Sequence, residues 1–263
     1  MEFETLTFER DGGVAIVSLN RPDAANSLNV QMAEDLLKVA THCDSNSDIR
    51  CVVFTAKGKM FSAGGDLHTF AAQGEGMAEY MRYATTGMHA AISRFSRMNA
   101  PYIVAVNGVA AGAGFSMAIS GDMVFAAQSA KLTMAYTRAG VSPDGSSTYF
   151  LPRLVGHVKA MQLIYMNDLL SADQALEWGL INEVVPDDKL MERVMEVAQQ
   201  LAAGPTLAYG ESKRLIADSL GNSMETQMEM ETRAIAGLAR ASEDTVNAID
   251  AFVNKRKPEF KGK

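Results

Sequence analysis

Two short runs of small residues have the composition to bring backbone groups to a ligand: FSAGGDL, Phe61 to Leu67, and VNGVAAGAGFSMA, Val106 to Ala118. Each follows an apolar run that reads as a buried strand and precedes a helical pattern. A strand-to-helix junction leaves backbone N–H groups unpaired and sets the positive end of a helix dipole beside them. Glycine and alanine let a carbonyl oxygen come close to such groups. Two N–H groups aimed at one point make an oxyanion hole, where losing one donor costs about 3–4 kcal/mol of transition-state stabilisation. Taken alone, either run reads as close strand–helix packing or a tight turn. Neither is a dinucleotide fingerprint or a phosphate loop, because GxGxxG and GxxxxGK[ST] are both absent.

One acid follows in a segment of its own, Asp144 in SPDGS. A carboxylate can act as a general base, better in apolar surroundings than in water. Locally, Pro-Asp-Gly is also a common turn. His89, alone on a long helical pattern, reads as a surface or packing residue, and His68 as a loop residue. Cys43 and Cys51 form no CxxC, and the four histidines (42, 68, 89, 157) do not cluster with them, so no metal site is expected.

These groups need elements to position them. FETLTFE and VAIVSLN flank Asp11-Gly12-Gly13 and read as a hairpin. Asn29 can cap a helix from Val30 with Met32, Leu36, Leu37 and Ala40 on its apolar face. CVVFTA, YIVAVNG and DMVFAA are continuous apolar runs, as in strands buried on both faces, with a helix over Met77 to Phe95 between two of them. This alternation argues an α/β fold with parallel strands. From about Ser171 the pattern is nearly all helical: Ser171 caps one helix, Asp187 to Ala203 is amphipathic, and Pro205 opens another. Met224, Met228, Ile235 and Leu238 then recur at helical spacing. Val246, Ile249, Phe252 and Val253 do the same after Ser242, a candidate N-cap. This tail carries more apolar surface than its own helices cover, which predicts packing against another subunit; the alternative is that it folds back on its own core.

Of 263 residues, 48% are hydrophobic and 21% charged, enough apolar material for one large domain or one domain with a small appendage. A net charge of −7 argues against nucleic acid as a partner. The acidic, alternating N-terminus is neither a signal nor a transit peptide, and the run Val104 to Ile119, broken by Asn107, is too short to span a bilayer. Two lone thiols fit a reducing cytoplasm.

Together, NRPDAANSL, FSAGGDL, AVNGVAAGAG, GDMVFAAQSAKLTMA, GVSPDGSSTYFLPRLVG, SADQALEWGLINEVVP and FVNKRKPEFKGK resemble the crotonase (enoyl-CoA hydratase/isomerase) superfamily over essentially the whole chain, closest in pattern to its phenylacetate-type isomerases. The resemblance implies a crotonase-like spiral of ββα turns (1–200) and a C-terminal helical trimerisation region (201–263), giving a homotrimer or a dimer of trimers. It implies an acyl-CoA thioester as substrate, with coenzyme A entering as part of the substrate and no separate cofactor. The thioester oxygen would take the N–H groups of Gly65 and Ala113. Ala24, Asn26, Leu28, Ala63, Asp66 and Leu67, in the AANSL and SAGGDL loops, would hold the adenine and pantetheine. Phe252 and Lys255 match positions that reach CoA from a neighbouring subunit, and Lys255 with Arg256 would meet its phosphates.

The family's hydratases use two glutamates, and those positions are Ser116 and Tyr136 here. Neither is a base near neutral pH, whereas hydration needs both an activator of water and a proton donor. Asp144 matches the single aspartate of the phenylacetate-type isomerases, with Tyr136 and Phe115 as apolar walls. The expected reaction is therefore migration of an enoyl double bond through an enolate, with Asp144 as acid and base. Three other readings stand beside it: a hydratase working through Asp144 alone; an aryl-CoA dehalogenase or hydrolase with Asp144 as nucleophile and His89 as helper; and a catalytically silent CoA- or RNA-binding relative. Some of the 17 methionines are expected to shape an adaptable acyl pocket.

Overall fold

A computed structural model describes all residues, Met1 to Lys263. The strands are β1 (Leu6–Asp11), β2 (Val14–Leu19), β3 (Cys51–Ala56), β4 (Met60–Ser62), β5 (Tyr102–Val106), β6 (Val109–Ala111), β7 (Met123–Ala127), β8 (Lys131–Thr133), β9 (Leu170–Ser171) and β10 (Glu183–Val185). The main helices are α1 (Val30–Ser45), α2 (Leu67–Ala72), α3 (Met77–Arg97), α4 (Ala113–Ala118), α5 (Ser147–Met166), α6 (Ala172–Glu177), α7 (Leu190–Ala202), α8 (Thr206–Ser219), α9 (Met224–Ala241) and α10 (Glu243–Val253).

Each turn of the chain gives one strand to a large sheet and the next strand to a small one. The large sheet runs β1-β2-β3-β5-β7-β10, and the small sheet runs β4-β6-β8-β9. The pairs β3/β4, β5/β6 and β7/β8 are therefore successive turns of a spiral, stacked in parallel within both sheets. Only the β1–β2 hairpin and the β8–β9 pair are antiparallel. Strands β3 and β5 are buried at every position, which is why they are uninterrupted apolar runs. The rings of Phe95 and Tyr102 stack at 4.7 Å where α3 crosses β5.

Local expectations hold in detail. Asn29 Oδ1 accepts from the Met32 N–H and starts α1. Ser171 and Gln174 form a reciprocal capping box at α6. Three differences have physical causes. Helix α8 starts at Thr206, with Pro205 at its cap. Ser242 does not cap α10 with its side chain; its hydroxyl donates to the Lys263 carbonyl, while Asp244 accepts from the Lys261 and Gly262 N–H groups. Phe115 is fully buried in the core, so it walls no ligand space. No helix is long and apolar enough to cross a membrane.

The tail does not fold its apolar stripe onto its own core. Phe252 is 84% exposed, Met224 70% and Ile235 70%, with Val246, Ile249 and Val253 exposed beside them.

Both cysteines are free and buried, and burial pushes each thiol up to about 12. The reactive thiolate is thus nearly absent near neutral pH. The native protein is expected to resist alkylation by iodoacetamide at about pH 8, where an ordinary thiol reacts readily, and to take up two labels once unfolded. Mass spectrometry of the intact chain checks this; a label entering the native protein would contradict the packing around β3 and α1.

Candidate active site

The two glycine-containing loops follow β4 and β6, which are parallel neighbours in the small sheet. They are equivalent positions in successive turns, and this brings together residues 48 apart in sequence, Gly65 and Ala113. Their backbones nearly touch. A Cβ on Gly64 would lie 2.8 Å from the Ala111 carbonyl oxygen, and one on Gly114 2.5 Å from the Ser62 carbonyl oxygen. No larger residue fits either position without moving main chain. Gly64 also has φ of +94°, a conformation that disfavours side chains.

The Gly65 and Ala113 N–H groups have no hydrogen-bond partner within the chain. Both residues line a cavity of about 530 Å³ with Leu28, Ala63, Leu67, Tyr136 and Asp144. Met77 and Met81 line it too, as expected of an adaptable acyl pocket. Asp144 is the only carboxylate among the lining residues. The arrangement can place two free backbone donors and one carboxylate around a single small ligand.

The carboxylate is held by one neutral donor. Tyr136 donates its hydroxyl to Asp144 Oδ1 at 2.5 Å. Ser116 Oγ lies 2.7 Å from the Tyr136 hydroxyl, and it also reaches the Asp144 carbonyl at 2.9 Å. Burial, and then the negative charge of Asp144, push the Tyr136 phenol well above its ordinary range. It therefore stays protonated and able to donate. The side chains at the two positions where the family's hydratases carry glutamates thus bond to each other and to Asp144.

The turn that presents Asp144 is pinned as well. Its carbonyl accepts from the Ser147 N–H at 3.1 Å and the Ser147 hydroxyl at 2.8 Å. Gly145 and Ser146 both have positive φ, +60° and +62°, a conformation that costs free energy at Ser146 and persists only where the surroundings enforce it. Pro-Asp-Gly is a turn here and also the mount of the site's carboxylate.

His89 is the residue that the sequence understates. From α3 its Nε2 accepts the Gly145 N–H at 3.0 Å and stands 3.7 Å from Asp144 Oδ2. A histidine alone on a long helix carries no local signal of this; only the packing of α3 against the 140–146 loop reveals it. His68 sits on the exposed side of α2 and does not line the cavity.

The remaining expected ligand residues divide. Leu28, Ala63 and Leu67 are in the cavity wall. The Asn26 side chain is instead fully buried: its Oδ1 accepts from the Arg21 N–H and its Nδ2 donates to the Lys57 and Met60 carbonyls. Asp66 caps α2 through the Thr69 N–H and pairs with Arg21 at 3.1 Å, so its side chain shapes the loop. Its carboxyl is held below the ordinary range by those hydrogen bonds, against the opposing effect of desolvation. Half-buried Ala24 lies outside the cavity lining, as do Phe252 and Lys255 on the tail.

The sequence profile of the enoyl-CoA hydratase/isomerase family matches residues 9–263. The chain belongs to this family. Among its relatives are 1,2-epoxyphenylacetyl-CoA isomerase of Escherichia coli K12, 38% identical over 100% of both chains, and 4-chlorobenzoyl coenzyme A dehalogenase-2 of an Arthrobacter species, 31% identical over 88% of this chain and 84% of that one. The crystal structure of the enoyl-CoA hydratase of Bacillus anthracis superposes with a TM-score of 0.92 at 32% identity, covering 99% of this chain and 100% of the other. The spiral described above is therefore the crotonase fold, and the protein is an enzyme of the enoyl-CoA hydratase/isomerase family.

A Cβ at Gly145 would sit 2.7 Å from Ser116 Cβ, whereas one at Gly12 would meet nothing within 4 Å although its φ is also positive. Gly12→Ala is expected to cost about 1 kcal/mol for the backbone alone. Gly145→Ala should cost about 1–3 kcal/mol more through overpacking. Denaturant midpoints of the two variants measure the difference; equal losses would contradict the packing of the Asp144 turn.

Proposed function

We propose that the protein is an enoyl-CoA isomerase. The observation that carries this reading is a single carboxylate, Asp144, in a cavity that also holds two unpartnered backbone N–H groups. In this reading the thioester oxygen accepts from the N–H groups of Gly65 and Ala113. Asp144 removes a proton from an acyl carbon, and the electron pair moves into a dienolate whose oxyanion is stabilised by the two donors. The protonated Asp144 then returns the proton at a different carbon, and the double bond has moved with no change in mass. One acid suffices because donor and acceptor are the same group at successive moments. With Oδ1 held by Tyr136, Oδ2 is the oxygen free to carry the proton. Ala24, Asn26, Ala63, Asp66 and Leu67 belong to the loops that would hold the CoA moiety, Asn26 and Asp66 by shaping them.

Hydration fits less well. Water would have to be activated and a proton delivered by one carboxylate, because Ser116 and Tyr136 are already bonded to each other and to Asp144. A nucleophilic role for Asp144 has one observation in its favour, the 3.7 Å approach of His89. Against it, His89 Nε2 is occupied by the Gly145 N–H.

Incubation with a 3-enoyl-CoA is expected to give the 2-enoyl-CoA at unchanged mass. Asp144→Asn should lower kcat by at least about 10²-fold, the ordinary contribution of a positioned acid–base group. A product heavier by one water would overturn the isomerase reading in favour of a hydratase. Oxygen from labelled water in a free acid, with a covalent adduct on Asp144, would favour the nucleophilic one.

The exposed stripe of α9 and α10 supports a homotrimer, or a pair of trimers, built on the 201–263 region around the 1–200 spirals. In that assembly Phe252 and Lys255 would reach a neighbour's CoA. Light scattering is expected to give at least three chains per particle. Ile235→Asp, on the exposed face of α9, should shift the mass toward the monomer without unfolding it; a wild-type monomer would overturn the proposal.

A further inference from the structure

A second chamber, of about 980 Å³, is lined by residues of which one, His89, stands 3.7 Å from Asp144 in the wall of the first cavity. Ser146, two residues beyond Asp144, lines it too. Its apolar lining includes Ile103, Met123 and Phe150. The polar part is unusual for a chain of net charge −7. Asp122 is the only carboxylate lining the chamber, and Lys213 neutralises it at 2.7 Å. Arg97 and Arg153 also line it, and neither guanidinium has a carboxylate partner in the chain. Arg153 is braced over the Tyr149 ring at 3.6 Å and donates to the Tyr149 carbonyl at 2.8 Å, so its position is fixed by neutral groups. Ser96 adds a buried hydroxyl with no hydrogen-bond partner.

Two exposed guanidiniums without carboxylate partners, lining a chamber that also has apolar and aromatic walls, suit a ligand that is apolar in the middle and anionic at its tip, because a guanidinium binds a carboxylate through charge-assisted hydrogen bonds. We propose that the chamber binds the distal part of the acyl group, and that the enzyme selects acyl-CoAs carrying a free terminal carboxylate, the mono-CoA thioesters of dicarboxylic acids. This rests on the reading of the first cavity as the thioester site. The acyl chain passes Asp144 and His89, its middle lies against Phe150 and Met123, and its carboxylate meets Arg97 and Arg153.

Calorimetric titration of the full-length protein tests this without requiring turnover. The ligands are saturated straight-chain acyl-CoAs from butanoyl to decanoyl and the mono-CoA thioesters of the matching diacids. At the chain length that spans the chamber, the diacid thioester is expected to bind about tenfold or more tightly than its neutral counterpart, the range for hydrogen bonds to a charged group. In the Arg97→Gln, Arg153→Gln double variant that ratio should fall to about one, with intermediate ratios in the single variants. Equal binding at every length, or a preference that survives in the double variant, would overturn the subsite and leave the isomerase reading intact. If no acyl-CoA binds at all, the isomerase reading falls and takes the subsite with it.

Discussion

The site depends on how closely two backbones approach. Gly64 lies against the Ala111–Ala113 main chain, and Gly114 lies against Ser62. Close packing of peptide groups is possible only because β4 and β6 are parallel neighbours that end at the same level of the spiral. Everything else in the cavity is hung from that contact. It leaves the Gly65 and Ala113 N–H groups without partners, a costly state for a backbone donor unless a ligand or water satisfies it. Ser62 supports the same junction, with its hydroxyl donating to the Asn26 carbonyl and accepting from the Gly64 N–H. Buried Asn26 ties the preceding loop to Lys57 and Met60.

Asp144 illustrates a second constraint. In the proposed reaction Asp144 carries a proton between two carbons, so its oxygens must be held in place. Here its close partner is a phenol kept protonated by burial and by the carboxylate's own charge. This donor fixes Oδ1 in space and leaves Oδ2 facing His89 at 3.7 Å. The cost is a chain of polar groups in the core, Ser116, Tyr136 and the Asp144 turn, which all find partners among themselves.

Much of this was legible in the sequence. The apolar runs of β3, β5 and β7 gave parallel strands, and Asn29 and Ser171 marked helix starts. Asp144 and the two glycine-containing runs were readable as a set only through the resemblance of the whole chain to a family, since each alone fits an ordinary turn. His89 was legible only through the resemblance, as a helper to a nucleophilic Asp144: one imidazole on a long helix has no local pattern, and its partner, the Gly145 N–H, is 56 residues away. The chamber that His89 also lines was equally hidden, because its walls come from α3, β5, β7, α5 and α8. Asn26 and Asp66 lie in the two loops singled out in the sequence, but sequence could not tell a side chain that faces a cavity from one that braces the loop.

The spiral arrangement and the choice of Asp144 were implied only by the family resemblance; the sequence by itself determined the run of strands and helices and the small residues at two junctions. Those properties are local: periodicity, capping chemistry and the absence of a Cβ act within a few residues. Tertiary structure decided which groups meet. It set Gly65 beside Ala113, turned Tyr136 and Ser116 onto Asp144, and brought Arg97 and Arg153 to one chamber. Such meetings are fixed by strand register and helix packing over long separations, and no short-range pattern in the chain encodes them.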